Sequence, residues 1–440
     1  MNAKLKIKNA KVRTRSAPVF FFLFAFLIFN FAFLLSGETK SSSTDEDRLA
    51  VFDDVWETIR DRYYDSSFHG VDWEAARAKF RPLAARAQTT GELYTVLRRM
   101  LGSLRDPHTR VFAPDEKFDW RRPRFIGVGL SVREVGGLPV VVSVERGSEA
   151  ERAGLRAGDV VAAVDDEPAL ELFARRLKEQ AASPDTASTR FQVMARLFEG
   201  PQGSTVGVRW VGADGRERTT RLRREWRERD SSLRVRRVRG GEIGVVEFDI
   251  FTEEVAGALV RALDHELRGV RGLVVDLRYN GGGETEAMTE VASAFLPAGR
   301  SLGRFTDRLG HLQFEPHTRA ALLFAPDRVK TFRGPVIILT SERTSSAAEI
   351  FVAALKDAGR ATTIGQSTCG CVLAIRRRHL LPDGGELTVS EMDYQTAAGA
   401  RLEGAGLVPD ERIALDRQDL RARRDRAFER AVERLEPAHP

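Results

Sequence analysis

Pro335-Val336-Ile337-Ile338-Leu339-Thr340, followed after three residues by Thr344-Ser345-Ser346-Ala347-Ala348-Glu349-Ile350-Phe351, is the stretch on which the fold turns. The unbroken apolar run reads as a strand buried on both faces. The Ala-rich pattern after it, ending near Gly359, reads as a helix. A buried strand thus hands the chain to a helix, with Ser346 at the junction. Unpaired backbone N–H groups point outward from such a helix start. A nucleophile there has an anion-binding site beside it, as acyl transfer requires. The same residues make a second pattern. Ser346 with Glu349 three residues on is a capping box, in which the serine is structural. Both readings stand on this segment alone.

Upstream, the α/β texture begins near Gly241. Ile243-Gly244-Val245-Val246-Glu247-Phe248 reads as a strand and Val255 to Leu267 as a helix. Leu273-Val274-Val275-Asp276-Leu277 is another buried strand, running into Arg278-Tyr279-Asn280-Gly281-Gly282-Gly283 and a helix from Glu286 to Phe295. Strand, glycine loop and helix can signify phosphate binding. The spacing is neither that of a P-loop nor that of a dinucleotide fold. Three glycines also bring bare N–H groups close to a reacting carbonyl. Downstream come Thr362-Thr363-Ile364-Gly365, Thr368-Cys369-Gly370-Cys371-Val372, a hairpin turn at Leu381-Pro382-Asp383-Gly384-Gly385, and Gly406-Leu407-Val408-Pro409-Asp410. Residues 416–435 read as a solvated, mixed-charge amphipathic helix.

Between Phe125 and Trp226 the chain changes to short alternating strands. Ile126-Gly127-Val128-Gly129-Leu130, Leu138-Pro139-Val140-Val141-Val142, Ser148 to Leu155 and Gly158 to Val164 follow in an order that resembles a PDZ domain. The resemblance implies capture of a chain terminus by strand addition, with N–H groups of Gly127, Val128, Gly129 and Leu130 receiving the carboxylate. A long helical segment spans Ala169 to Leu197, with a loop around Pro184. Before this module, Leu49, Phe52, Val55, Trp56 and Ile59 recur at helical spacing. Asp72 marks a helix start, and a further helix runs from about Gly91 to Leu104. His108, in Asp106-Pro107-His108-Thr109-Arg110, reads as a structural turn histidine.

The 440 residues allow two or three domains. Lys4, Lys6, Lys8, Lys11, Arg13 and Arg15 precede the first acidic residue and account for the whole formal charge of +6. The neutral remainder argues against nucleic acid as a partner. Val19 to Leu35 is apolar apart from Asn30 and follows those six charges. It reads as a secretory signal peptide or a single-span signal anchor, with the body extracytoplasmic, in the periplasm or cell envelope. Leu34-Leu35-Ser36-Gly37 lacks a small-x-small cleavage site, which favours the anchor. Cys369 and Cys371 are the only cysteines and cannot build a disulfide framework. The seven histidines show no ligand spacing, so no metal and no cofactor are expected.

Taken in order, these motifs resemble the C-terminal processing peptidases, or tail-specific proteases, from about Phe52 to Asp410. The resemblance implies an α+β multidomain chain. It has a leader at 1–40, an N-terminal helical region at 41–120 and a PDZ-like peptide-binding domain at 121–230. A split α/β core, crotonase-like with ββα repeats, occupies 231–415, and a charged helix 416–440. It implies a serine endopeptidase acting on unfolded or C-terminal polypeptide segments. Ser346 would be the nucleophile, Gly283 and Ala347 the oxyanion-hole N–H groups, and Asp357 a supporting carboxylate. The family's general-base lysine stands 25 residues after the serine, and here that position is Cys371. Three alternatives follow: another base such as His379, a catalytically impaired homologue that binds peptide tails through its PDZ-like domain, or a redox-gated protein in which Cys369 and Cys371 pair.

Overall fold

Three helices open the body: α1 (Asp45–Arg62), α2 (Trp73–Arg86) and α3 (Thr90–Gly102). The Asp72 carboxylate caps α2 by accepting from Ala75 N–H at 2.9 Å, and Thr89 caps α3 through Glu92 N–H at 3.2 Å. Phe52, Val55, Trp56 and Ile59 of α1 are buried on one face, as their spacing predicts. Strand β1 (Arg110–Phe112) follows. This computed structural model describes residues 44–106, 108–116, 124–179, 187–228, 232–320 and 331–436. The basic leader with its apolar run, Pro107, Pro184 and Lys330 lie outside these ranges. No helix of the described residues is long and apolar enough to cross a membrane.

The second region is β-rich. Strand β2 (Arg124–Gly127) leads into β3 (Leu130–Val135), β4 (Leu138–Val144), the one-turn helix α4 (Glu149–Arg152), β5 (Val160–Val164) and β6 (Glu167–Pro168). Helices α5 (Ala169–Glu179) and α6 (Ala187–Ala195) occupy the long helical segment, and the expected loop around Pro184 lies outside the described residues. Strands β7 (Thr205–Val211), β8 (Glu217–Arg223) and β9 (Glu225–Glu228) close the region. The main sheet runs β3-β4-β5-β7-β8, so β3 is an edge, while β2 and β9 form a separate two-stranded ribbon.

The third region carries the site. Its elements are β10 (Arg234–Val238), β11 (Ile243–Glu247), α7 (Glu253–Asp264), β12 (Gly272–Asp276), α8 (Thr285–Ser293), β13 (Arg304–Thr306) and β14 (Leu312–Phe314). Then come β15 (Val336–Thr340), α9 (Ala347–Asp357), β16 (Ala361–Gly365), β17 (Ala374–Leu380), β18 (Glu386–Gln395) and β19 (Glu411–Arg412). One sheet has the order β10-β11-β12-β15-β16-β19, parallel from β11 onward. Every residue of β12 and β15 is buried, because helices cover both faces. Helices α7, α8 and α9 pack on one face through Leu259, Met288, Val291 and Phe351. The intervening hairpins leave this sheet: β13, β14, β17 and β18 join β1 in a second one.

Two expectations need correction. The boundary at 120 lies outside the described residues, and the regions at 41–120 and 231–415 are not separate. β1 pairs with β18, and Leu381, Leu387 and Val389 complete the core of the N-terminal helices. The C-terminal stretch is also not one solvated helix. It forms α10 (Arg417–Ala422) and α11 (Arg426–Leu435), broken at Arg423 with φ 55°. Ala431, Val432 and Leu435 of α11 pack on Val274, Ile337 and Ile364, sealing the other face of the parallel sheet. Arg417 Nε on α10 donates to the Gly158 carbonyl at 2.8 Å, tying this end to the β-rich region. Mixed charge along the stretch concealed that narrow apolar seam.

Candidate active site

Strands β12 and β15 lie side by side, with Asp276 opposite Leu339, and the loops that leave them are stitched together. Thr344 Oγ1 donates to the Leu277 carbonyl at 2.8 Å, and Ser341 Oγ to the Arg278 carbonyl at 2.5 Å. Ser345 N–H donates to the Asn280 carbonyl at 3.1 Å. Asn280 is buried. Its Nδ2 donates to the Phe248 carbonyl at 3.0 Å and its Oδ1 accepts from Gly282 N–H at 2.9 Å. The glycine loop is thereby held against the start of α9, at the carboxyl ends of parallel strands where such sheets place ligands.

Ser346 is the N-cap of α9, with φ 55° and ψ −127°. A residue with a Cβ is strained there by about 1–3 kcal/mol. The strand-to-helix turn that lifts a nucleophilic serine out of an α/β sheet is strained in the same way. Ser346 and Glu349 form a capping box, but Glu349 N–H also donates to the Ser346 carbonyl at 2.8 Å, so the hydroxyl is not its sole acceptor. Glu349 supplies the reverse half of the capping box, its Oε2 accepting from Ser346 N–H at 3.2 Å. The side chain of Ser346 is half-buried, not packed away.

Glycine is required opposite it. A Cβ on Gly282, at φ 94°, would lie 2.6 Å from Ser346 Cβ and 3.0 Å from Ala347 N. A Cβ on Gly283, at φ 136°, would lie 2.2 Å from the Phe251 carbonyl oxygen. Neither Gly283 N–H nor Ala347 N–H has an acceptor among the described residues. Two unsatisfied donors and a helix start thus converge beside one hydroxyl, an arrangement suited to stabilising a developing oxyanion.

Glu349 is buried and holds the segment facing the serine. Its Oε1 accepts from Thr368 Oγ1 and from Gly370 N–H at 2.7 Å, and its Oε2 from Cys371 N–H at 2.9 Å. Burial raises its pKa against these three donors and the Ser346 N–H. Cys371 lies next to the nucleophile, its carbonyl accepting from Ser346 N–H at 2.9 Å. Its sulfur is bonded to Cys369, with Cα atoms 5.2 Å apart. As a disulfide sulfur it does not titrate and offers no thiol to act as a base. On the other side of this segment Glu403 Oε2 accepts from Val372 N–H at 2.7 Å and Leu373 N–H at 3.2 Å. Burial pushes Glu403 up to about 7, opposed by the Val372 N–H and by His108.

Two sequence candidates fall away. Asp357 is the last residue of α9 and exposed, about 16 Å of helix from Ser346, so it cannot support the hydroxyl. His379 sits on β17 with Nε2 2.9 Å from Glu391 Oε1, and among the described residues nothing links it to Ser346. His108 keeps a structural place, its N–H on Asp106 Oδ1 at 2.9 Å and its carbonyl accepting from Thr388 Oγ1 at 2.8 Å. Asn280 and Glu403 went unnoticed in the sequence. An asparagine ahead of three glycines was a usable signal for the first. Nothing local marks the second. Among the described residues, no group of three or more His, Cys, Asp or Glu is placed to hold a metal ion.

In the β-rich region, Gly127 to Leu130 joins β2 to the edge strand β3. Val128 is buried, and a Cβ on Gly129, at φ 77°, would lie 2.5 Å from Ser148 Cβ. Arg227 Nε donates to the Gly127 carbonyl at 3.3 Å, which brings a guanidinium to this loop. Arg133 on β3 pairs with Glu342 at 2.6 Å, and Glu342 also accepts from Gln366 Nε2 at 2.8 Å. The edge strand is thereby tethered to the loop that precedes Ser346.

Residues 242–413 match the family model described as Peptidase family S41, and residues 44–102 match the Tricorn protease C1 domain. Residues 242–413, which hold Ser346 and the glycine loop, are thus similar to family S41 peptidases. It is 27% identical to a carboxyl-terminal-processing protease of Synechocystis sp., over 89% of this chain and 87% of that one. It is 28% identical to the Picosynechococcus sp. protein of the same description, over 85% and 84%. A solved photosystem II D1 C-terminal processing protease is 26% identical with a TM-score of 0.53, covering 83% of this chain and 93% of that one. Mature CPAF, at 14% identity, shares the mixed α+β fold with a TM-score of 0.62, over 89% and 96%.

Proposed function

We propose that this protein is an extracytoplasmic serine endopeptidase that cleaves unfolded or C-terminal segments of other proteins through an acyl-enzyme on Ser346. The observation that carries this reading is Ser346 held at φ 55° beside two N–H groups that have no acceptor among the described residues. Ser346 Oγ attacks the scissile carbonyl, and the charge that forms on oxygen meets Gly283 N–H and Ala347 N–H. The leaving amine takes a proton, and water then hydrolyses the ester. The loop from Gly127 to Leu130, with Arg227 beside it, suits a chain-terminal carboxylate, and the edge strand β3 suits an extended peptide. The basic leader and its apolar run support an envelope location.

One observation favours a second reading. With Cys371 in a disulfide, no thiol stands where the resemblance puts the base. A catalytically impaired homologue that binds peptide tails through its PDZ-like region fits that state. The test is incubation of the purified protein with an unfolded substrate bearing an apolar carboxyl terminus. Cleavage that falls at least a thousandfold in Ser346→Ala supports the peptidase. Tail binding without cleavage by wild type or by Cys371→Lys supports the second reading. Cleavage that survives Ser346→Ala removes the nucleophile assignment.

A further inference from the structure

We infer that Cys369 and Cys371 form a redox switch on the Ser346 site, in which a small dithiol reductant releases the Cys371 thiol as proton acceptor for the serine hydroxyl. The inference rests on the peptidase reading above. Its basis is where the disulfide lies. Cys369 N–H donates to the Thr344 carbonyl at 2.9 Å, and the Cys371 carbonyl accepts from Ser346 N–H at 2.9 Å. Gly370 N–H and Cys371 N–H both end on Glu349, itself in the first turn of α9. The Cys-Gly-Cys turn is therefore the wall that faces the nucleophile.

That wall does not depend on the sulfur bond. Gly404 N–H donates to the Gly370 carbonyl at 2.8 Å, and a Cβ on Gly370, at φ 70°, would lie 2.7 Å from Gly406 N. Glu349 in front and residues 404–406 behind hold the turn in place. Reduction then frees sulfur without dismantling the backbone around Ser346. The chain has no third cysteine, so this pair has no competing partner within the molecule. The two residues are only 9% and 6% exposed, which disfavours a bulky reductant.

The chemistry balances. One thiolate of the dithiol attacks a disulfide sulfur, its second thiol resolves the mixed disulfide, and the reductant leaves as a cyclic disulfide. Two electrons and two protons pass to the protein, giving Cys369 and Cys371 as thiols. The Cys371 thiol ionises to solvent. Its thiolate takes the Ser346 proton, directly or through one water, as the Oγ–carbon bond forms. The carbonyl pair moves onto the oxygen facing Gly283 and Ala347. Negative charge thus leaves sulfur as it arrives on oxygen, and the thiol can return its proton to the leaving amine. The titratable groups that hold the backbone of this turn are Glu349 on α9 and Glu403 against Val372, and Asp106 and His108 act electrostatically on Glu403.

The experiment measures labelling of Ser346 by a fluorophosphonate probe, and cleavage of an unfolded substrate, on full-length protein with and without dithiol. Thiol counting reports the redox state. Wild type is expected to react at least tenfold faster once two thiols appear, with a rate that climbs on the alkaline side. Cys369→Ala should be fast without reductant, and Cys371→Ala slow in both conditions with unchanged circular dichroism. Equal wild-type rates in the two redox states would overturn the switch, as would Cys369→Ala no faster than Cys371→Ala. Cleavage by Cys371→Lys alongside silent reduced wild type would sink the switch and spare the peptidase. Silence of every form, including folded Cys371→Lys, would remove both.

Discussion

Two strand-to-helix junctions face each other in the core, and they solve one backbone problem differently. After β12 the chain turns through Gly282 and Gly283, at φ 94° and 136°, and neither position can hold a Cβ. After β15 it turns through Ser346 at φ 55°, where glycine would be less strained. Retaining a side chain there costs about 1–3 kcal/mol. The side chain is not the sole cap, since Glu349 Oε2 accepts from Ser346 N–H and the Ser346 carbonyl from Glu349 N–H. The contrast separates a junction shaped for close approach from one that keeps a hydroxyl at an energetic penalty.

The comparison can be broken in three ways. Glu349→Ala should have the largest effect, about 4 kcal/mol of lost stability, because it strands the Gly370 and Cys371 N–H groups and the Thr368 hydroxyl in a buried site. Denaturant unfolding would show it; a loss under 1 kcal/mol would mean the anchor is dispensable. Gly283→Ala comes next, at about 3 kcal/mol, since its Cβ strikes the Phe251 carbonyl. Probe labelling of Ser346 should fall with it. Normal stability and labelling would show that the glycine junction is not shaped by that approach. Ser346→Gly is the smallest and has the opposite sign. Relief of strain should raise stability by about 1 kcal/mol while abolishing labelling. A less stable Ser346→Gly would show that the side chain is there for packing.

Much of this junction was legible in advance. Val336 to Leu339 and Leu273 to Val275 are continuous apolar runs, which only doubly covered parallel strands need, and each is followed by a residue pattern that starts a helix. Ser346 stood out at the strand-to-helix junction, whereas Gly283 and Ala347 as N–H donors came only from the family resemblance. Asp357 came only from the family resemblance, and it stands exposed at the far end of α9 from Ser346. Glu349 showed only its local capping pattern, and its bonds to Thr368, Gly370 and Cys371 span about twenty residues of intervening strand and turn. Glu403 reaches Val372 from thirty-one residues away, and Arg133 reaches Glu342 from 209. Such contacts leave no periodic trace. The apolar seam of α11 was masked by the arginines and glutamates around it.

The pairing of β1 with β18 puts Arg110 opposite Thr388, a closure across 278 residues. The first helices to leave the ribosome therefore present an unfinished hydrophobic face until Leu381, Leu387 and Val389 are made. A loop closed over that span forms slowly, because its entropy is lost before its contacts repay it. The order of synthesis and the order of folding must then differ. Maturation waits on the last quarter of the polypeptide, so a truncated product would be left with an open, adhesive amino-terminal half.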